Sequence, residues 1–443
     1  MDERTMRYAN ELARMIRCET VSVQGQSDYE KFTRFQALLE ELFPALFAVC
    51  EKEVFHGSLL MRWPGQHPEK APVLFMNHQD VVEASGEWEH EPFSGDITED
   101  KIWGRGTLDD KGALWGMLRA ADELAAEGFT PDCDIWFESA DAEEIGGNNG
   151  EGADEISLIL KERGIRFAFV LDEGGMIVTE PMLGAKGSYA MIGVGEKGTA
   201  DLKIIARSSG GHASTPPKDT PLVRLGKFMA ECDSGSLFRV EMNPTVQEMF
   251  RRVSGGIDGM MKNVLSKPDV YKKVLEAIMN RTSPEGAAML RTTLAFTMAK
   301  GSDGHNVLPQ EAWVLGNMRF AHHQGMEESV EAVRKVAEKY DLEVAVEVAG
   351  FTSPVTSYKC LGFRMLEQGI KEIFPGAVPT PYIMNGASDA RFMSRVSDNC
   401  LRFAPFSINA DQRHSVHGPN ENLDLSTLAP AVDFYRWMMT HVG

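Results

Sequence analysis

Between Ala71 and about Tyr189 short apolar runs alternate with stretches of helical period. Val73-Leu74-Phe75-Met76, Ile135-Trp136-Phe137 and Phe167 to Leu171 are too short for helices and too continuously apolar for a half-exposed sheet, so they read as strands buried on both faces. Helical spacing fills the intervals from about Asp110 to Glu127 and from Ala153 to Arg163, and an N-terminal amphipathic pattern runs through Met6, Leu12, Met15 and Ile16. Strand and helix in alternation predict an α/β fold. From about Ala190 the pattern changes to longer alternating strands, Ala200 to Ala206, Leu294 to Met298 and Trp313 to Phe320, then a helix over Glu327 to Tyr340 and a strand over Glu343 to Val348. This predicts an α+β unit over 190–350, inserted between two α/β segments, 1–189 and 351–443, that form one domain. Inside it lies a helical insertion near 233–290 with Met242, Met249, Met260, Met261 and Met279. Its methionines are expected to fill irregular core rather than to grip an apolar substrate group.

A chain of 443 residues exceeds what one core usually organises, which agrees with two units. The net charge of −20 excludes nucleic acid and anionic membrane as natural partners, because both reward a basic footprint. No apolar run is long enough to span a bilayer, and the acidic start Met1-Asp2-Glu3 is no secretory signal. The six cysteines are scattered singly, which predicts reduced thiols and a cytoplasmic home.

Five short segments carry candidate chemistry. His78-Gln79-Asp80 ends the first buried run; residues i and i+2 of an extended segment share a side, so Asp80 can orient His78 as a metal ligand. Gly104 to Gly112 contains Asp109-Asp110 at a helix start, where ordinary capping would also place an acid. Glu143-Glu144 follows the second run, and adjacent acids diverge, so one can bind metal while the other moves a proton. Asp172-Glu173 ends the third run, and His417 precedes a turn near the C-terminus, with His414 as a neighbouring alternative. Each alone is also what a plain turn or cap would use. Together they supply imidazoles and carboxylates enough for two cations, at strand ends where open α/β sheets bind ligands.

In this order, with Asn77-His78-Gln79-Asp80-Val81-Val82, Asp109-Asp110-Lys111-Gly112, Ala142-Glu143-Glu144-Ile145-Gly146, Gly210-Gly211-His212-Ala213-Ser214 and Asn306-Val307-Leu308-Pro309, the chain resembles metallopeptidase family twenty. These are the dizinc hydrolases that include carboxypeptidase G, aminoacylase, acetylornithine deacetylase and succinyl-diaminopimelate desuccinylase. Leu171-Asp172-Glu173-Gly174-Gly175 and Glu196-Lys197-Gly198 look closest to its branch of carboxypeptidase S and N-acyl amino acid hydrolases.

The resemblance implies a zinc-peptidase-like catalytic domain, with a central mixed sheet flanked by helices, and an inserted lid and dimerisation domain. It implies hydrolysis of an amide or peptide bond adjacent to a free carboxylate, in dipeptides, short peptides or N-acyl amino acids. A deacylase of an N-acylated biosynthetic intermediate is the alternative, ahead of a two-metal phosphoesterase or a binding protein. By the same resemblance His78, Asp109 and Asp172 would hold one metal and Asp109, Glu144 and His417 the other, with zinc the default and manganese or cobalt admissible. Asp80 would orient His78, and Glu143 would be the general base. His212 would stabilise the oxyanion in a partner subunit's site, which implies a homodimer. Arg319, Asn306 and the loop bearing Gly386 and Ser388 would hold the substrate.

Overall fold

The computed structural model describes residues 2–443 apart from 26, 27, 147–149, 180–183, 236, 283 and 351. Gly147, in the acidic loop, and Phe351, the expected return point of the chain, thus lie outside the described residues.

The larger of two main sheets has ten strands. At its centre Val73–Met76 lies parallel to Ile135–Ser139 on one side and to Val170–Asp172 on the other, and Cys400–Arg402 continues the parallel set beyond Val170–Asp172. Alternation decides what each strand feeds. Phe75, Phe137 and Leu171 enter the main core on one face, whereas Leu74, Met76, Trp136 and Val170 enter a second core on the other. The first core is closed by the helices Glu3–Arg17, Lys111–Ala126 and Leu428–His441, the second by Gly152–Glu162 and Ala390–Met393. Asp2 caps the N-terminal helix, its carboxylate accepting from the Thr5 amide at 2.7 Å, a contact worth about 1 kcal/mol. The third strand is shorter than its apolar run: Phe167 and Ala168 bond loop carbonyls of Val396 and Pro72, and the ladder begins at Val170.

The smaller sheet is antiparallel, in the order Thr293–Lys300, Glu311–Phe320, Gly198–Arg207, Glu343–Ala349. Ala200, Leu202, Ile204 and Ala206 point to one face, where the helices Pro221–Asp233 and Gly325–Glu338 cover them. Two features differ from the expected division. Strand Ser188–Glu196 belongs to the larger sheet, so the change of sheet falls at Lys197 rather than at 190. The helical insertion packs with the larger core: Met242, Met249 and Met279 are buried in the same core as Tyr189 and Ile192, while Met260 is exposed. Among the described residues no helix is long and apolar enough to cross a membrane.

Candidate metal centre and active site

The parallel strands Val73–Met76, Ile135–Ser139 and Val170–Asp172 end at one edge of the sheet, and the residues just past them meet there. His78 Nε2 lies 3.0 Å from Asp109 Oδ1, and His417 Nε2 lies 3.1 Å from Asp109 Oδ2. Asp109 thus turns one oxygen to each imidazole. Glu144 Oε2 approaches His417 Nε2 at 3.0 Å, and Glu173 Oε2 approaches His78 Nε2 at 3.8 Å.

Asp80 supports this cluster from behind. Its carbonyl lies 2.9 Å and its Oδ1 3.4 Å from His78 Nδ1, which leaves Nε2 to face the centre. Its carboxylate also accepts the amides of Glu143 at 3.3 Å and Glu144 at 3.1 Å and the Ser22 hydroxyl at 2.5 Å.

Electrostatically the cluster is built for a cation. Burial opposes a charge on His78, but Glu173, Asp109 and Asp80 outweigh it and raise its pKa well above the usual value. Hydrogen bonds to Asp109 and Glu144 lift His417 to about 10. Burial drives Glu143, Glu173 and Asp110 well above the carboxylate range, with neighbouring acids adding to it. Buried Glu144 Oε1 and both carboxylate oxygens of Asp110 have no hydrogen-bond partner among the described residues. Two groups, His78 with Asp109 and Glu144 and His78 with Asp110 and Glu173, have ligand atoms within 4.8 Å of one another. Unpaired buried oxygens beside imidazole nitrogens fit a divalent metal of the zinc, manganese or cobalt kind.

Asp172, expected as a ligand, accepts the Glu173 amide on Oδ1 at 2.9 Å and the Ala390 amide on Oδ2 at 2.6 Å, where it holds the start of the helix Ala390–Met393. The next residue, Glu173, turns Oε2 toward His78 Nε2 at 3.8 Å, because successive side chains at a strand end point to opposite faces.

The centre opens into a cleft of about 1190 Å³ lined by Glu143, Glu144, Asp109, Glu173 and His417, with Arg319 and Gly386 among its other walls. Arg319 Nε donates to Asn317 Oδ1 at 3.2 Å, and no acceptor among the described residues takes its terminal nitrogens. Ser388 does not reach the cleft. It is buried, its amide and hydroxyl donating to Glu196 Oε2 at 3.0 and 3.1 Å while its Oγ accepts from Arg402 Nε at 3.0 Å. His212 and Asn306 are also away from the cleft. Both are exposed in adjoining turns, the Ala213 amide bonding the Asn306 carbonyl at 2.9 Å and His212 pairing across strands with Val307.

Lys197, between the two sheets, and Met289, in the helical insertion, also line the cleft, and neither is among the residues expected there. Lys197 stood inside the motif Glu196-Lys197-Gly198, whereas Met289 offered no signal. Further apolar wall comes from Met176, Met191, Tyr382, Met384 and Ile408.

Residues 74–441 match the sequence pattern of Peptidase family M20/M25/M40. The chain is 29% identical to probable carboxypeptidase S-like 2 of Dictyostelium discoideum, over 96% of this chain and 83% of the relative. It is likewise 29% identical to the human N-fatty-acyl-amino acid synthase/hydrolase PM20D1, over 95% of this chain and 84% of the relative. The fold matches the metallo-carboxypeptidase Sso-CP2 of Sulfolobus solfataricus with a TM-score of 0.72 at 18% identity, covering 99% of both chains.

Proposed function

Because the chain belongs to peptidase family M20/M25/M40, a family of metal-dependent peptidases and amidohydrolases, we propose that it hydrolyses the amide bond of an N-acyl amino acid or short peptide with a free carboxylate and a bulky apolar acyl-side group. The observation that carries this reading is Asp109, one oxygen on each of two histidines, in a cleft that also holds Glu143 and Arg319.

His78 and Glu173 would hold one divalent ion, His417 and Glu144 a second, with Asp109 shared between them. Zinc is the first choice, and manganese and cobalt suit the same donors. When bound, such ions polarise the scissile carbonyl and lower the pKa of water.

The protein's own groups do the rest. The Glu143 carboxylate, at the wall of the cleft beside Asp109 and Glu144, accepts a proton from the attacking water and returns it to the departing amine. Arg319 offers its free guanidinium edge to the substrate carboxylate, which fixes the amide relative to Glu143. Met176, Met191, Met289 and Met384 present adaptable apolar surface to the acyl side.

The exposed turn carrying His212 and Asn306 supports use of these residues in a second copy's cleft, and hence a homodimer. The six cysteines form no disulfide, which supports a reducing, cytoplasmic setting.

Protein stripped with a chelator should lose hydrolysis of an N-acyl amino acid and recover it on addition of Zn²⁺. Turnover that persists in demonstrably metal-free protein contradicts the reading.

A further inference from the structure

Asp109 and His417 come from segments more than three hundred residues apart, yet their side chains meet at 3.1 Å. What holds the two segments together is a buried ion pair. Strand Asn422–Asp424 pairs antiparallel with Lys101–Trp103, Asn422 opposite Trp103, and this register sets Glu421 beside the loop that begins at Gly104. The Glu421 carboxylate is fully buried there. Its Oε1 accepts the amides of Leu108 at 2.7 Å, Asp109 at 3.1 Å and Gly106 at 3.1 Å, and its Oε2 accepts Arg105 Nη1 at 2.6 Å.

Gly106 has φ +91°, and a Cβ there would stand 3.0 Å from Val81 Cγ1, so only glycine can turn its amide to this carboxylate. Arg105 completes the clasp in the other direction, Nη2 donating to the Gly418 carbonyl at 3.1 Å. That bond falls on the residue after His417, whose own backbone is left-handed at φ +60°. A side chain held in that sparsely populated conformation needs its surroundings to keep it there. Each member of the pair therefore bonds both segments: Glu421 grips the Asp109 loop, and Arg105 grips the His417 turn.

We propose that Glu421, paired with Arg105, is a positioning residue that sets Asp109 and His417 at the spacing one shared cation requires. This rests on the metal site proposed above. It assigns Glu421 no contact with substrate and no proton transfer; the residue acts through the two side chains it places.

The test is a Co²⁺ titration of chelator-stripped, full-length protein, followed by visible absorption, on the wild type and on Glu421→Gln and Arg105→Lys. His417→Ala identifies the absorption of the equivalent that His417 binds. Glu421→Gln should weaken that equivalent by roughly 10–100-fold and alter its spectrum, weaken the other, which depends on the pair through Asp109 alone, by less, and recover turnover as Co²⁺ is raised. Arg105→Lys should weaken the same equivalent.

A folded Glu421→Gln or Arg105→Lys protein with wild-type affinity and spectrum overturns the proposal, as does equal weakening of both equivalents. If neither variant folds, the pair serves folding alone and the proposal falls. A wild type that binds no Co²⁺ removes the metal site itself and the proposal with it, whereas a loading wild type with unaffected variants removes only the role of Glu421.

Discussion

The amide of Glu143 donates to Oδ1 of Asp80 at 3.3 Å, across 63 residues of sequence. The same oxygen faces His78 Nδ1 at 3.4 Å, so one carboxylate aligns the proposed base and a proposed ligand. Because the hold on Glu143 is through its backbone, its side chain can change while the loop stays in place. Glu143→Gln should therefore lower kcat by roughly 10²–10⁴-fold and leave the metal content at the wild-type level. Elemental analysis beside steady-state kinetics checks both halves; a variant that loses its metal would make Glu143 a ligand instead.

Asp172 and Glu173 are neighbours with different work. Glu173→Gln should lower metal affinity with little effect on folding. Asp172→Asn should keep its metal and lose about 1–3 kcal/mol of stability, because it weakens the bonds to the Glu173 and Ala390 amides. Metal titration and urea unfolding of both variants distinguish the assignments, and the reverse pattern would restore Asp172 as the ligand.

How much of this was legible in the sequence depends on whether the deciding interaction is local. The runs at Val73 and Ile135 announced central strands, and with them the sheet edge where His78 and Glu144 project. Asp109 was readable as an acid in a glycine-punctuated turn. Its oxygens facing both His78 and His417 depend on a C-terminal turn that no local pattern connects to it. Asp172 accepts the Ala390 amide, more than two hundred residues away, a contact that no local pattern shows. Ser388, expected with Gly386 to hold the substrate, is drawn inward by Glu196 and Arg402, whose buried charges need partners.

His212 is exposed, outside the cleft of its own chain, with Nδ1 2.8 Å from Ser214 Oγ. If it serves a second copy, His212→Ala and Glu143→Ala proteins should each be inactive alone. After mixing and subunit exchange they should recover partial activity, because one cleft of the mixed dimer then has both groups. Exchange confirmed by mass spectrometry with no recovered turnover would assign His212 elsewhere.

Lys197 is buried, its Nζ donating to the carbonyls of Ala288 at 3.1 Å and Arg291 at 2.9 Å. Burial, with Arg291 and Arg319 nearby, lowers its pKa from 10.5 to about 7. The unfolded chain thus holds more protons than the folded one between about pH 7 and 10.5, and over that window this lysine's contribution to stability rises with pH. Lys197→Met removes the group, so the stability of wild type minus variant should increase from pH 7 to pH 10 in urea unfolding. A constant or falling difference would mean the ammonium stays charged in the fold.

The central claim is amide hydrolysis next to a carboxylate. Mass spectrometry of free amino acids released from a panel of dipeptides and N-acyl amino acids of graded acyl length, with Zn²⁺-loaded protein and Glu143→Ala as the blank, tests it most directly. The predicted result is release by the wild type alone, greatest for long apolar acyl groups and abolished when the substrate carboxylate is converted to an amide. No release from any member of the panel, or equal release by the blank, would contradict it.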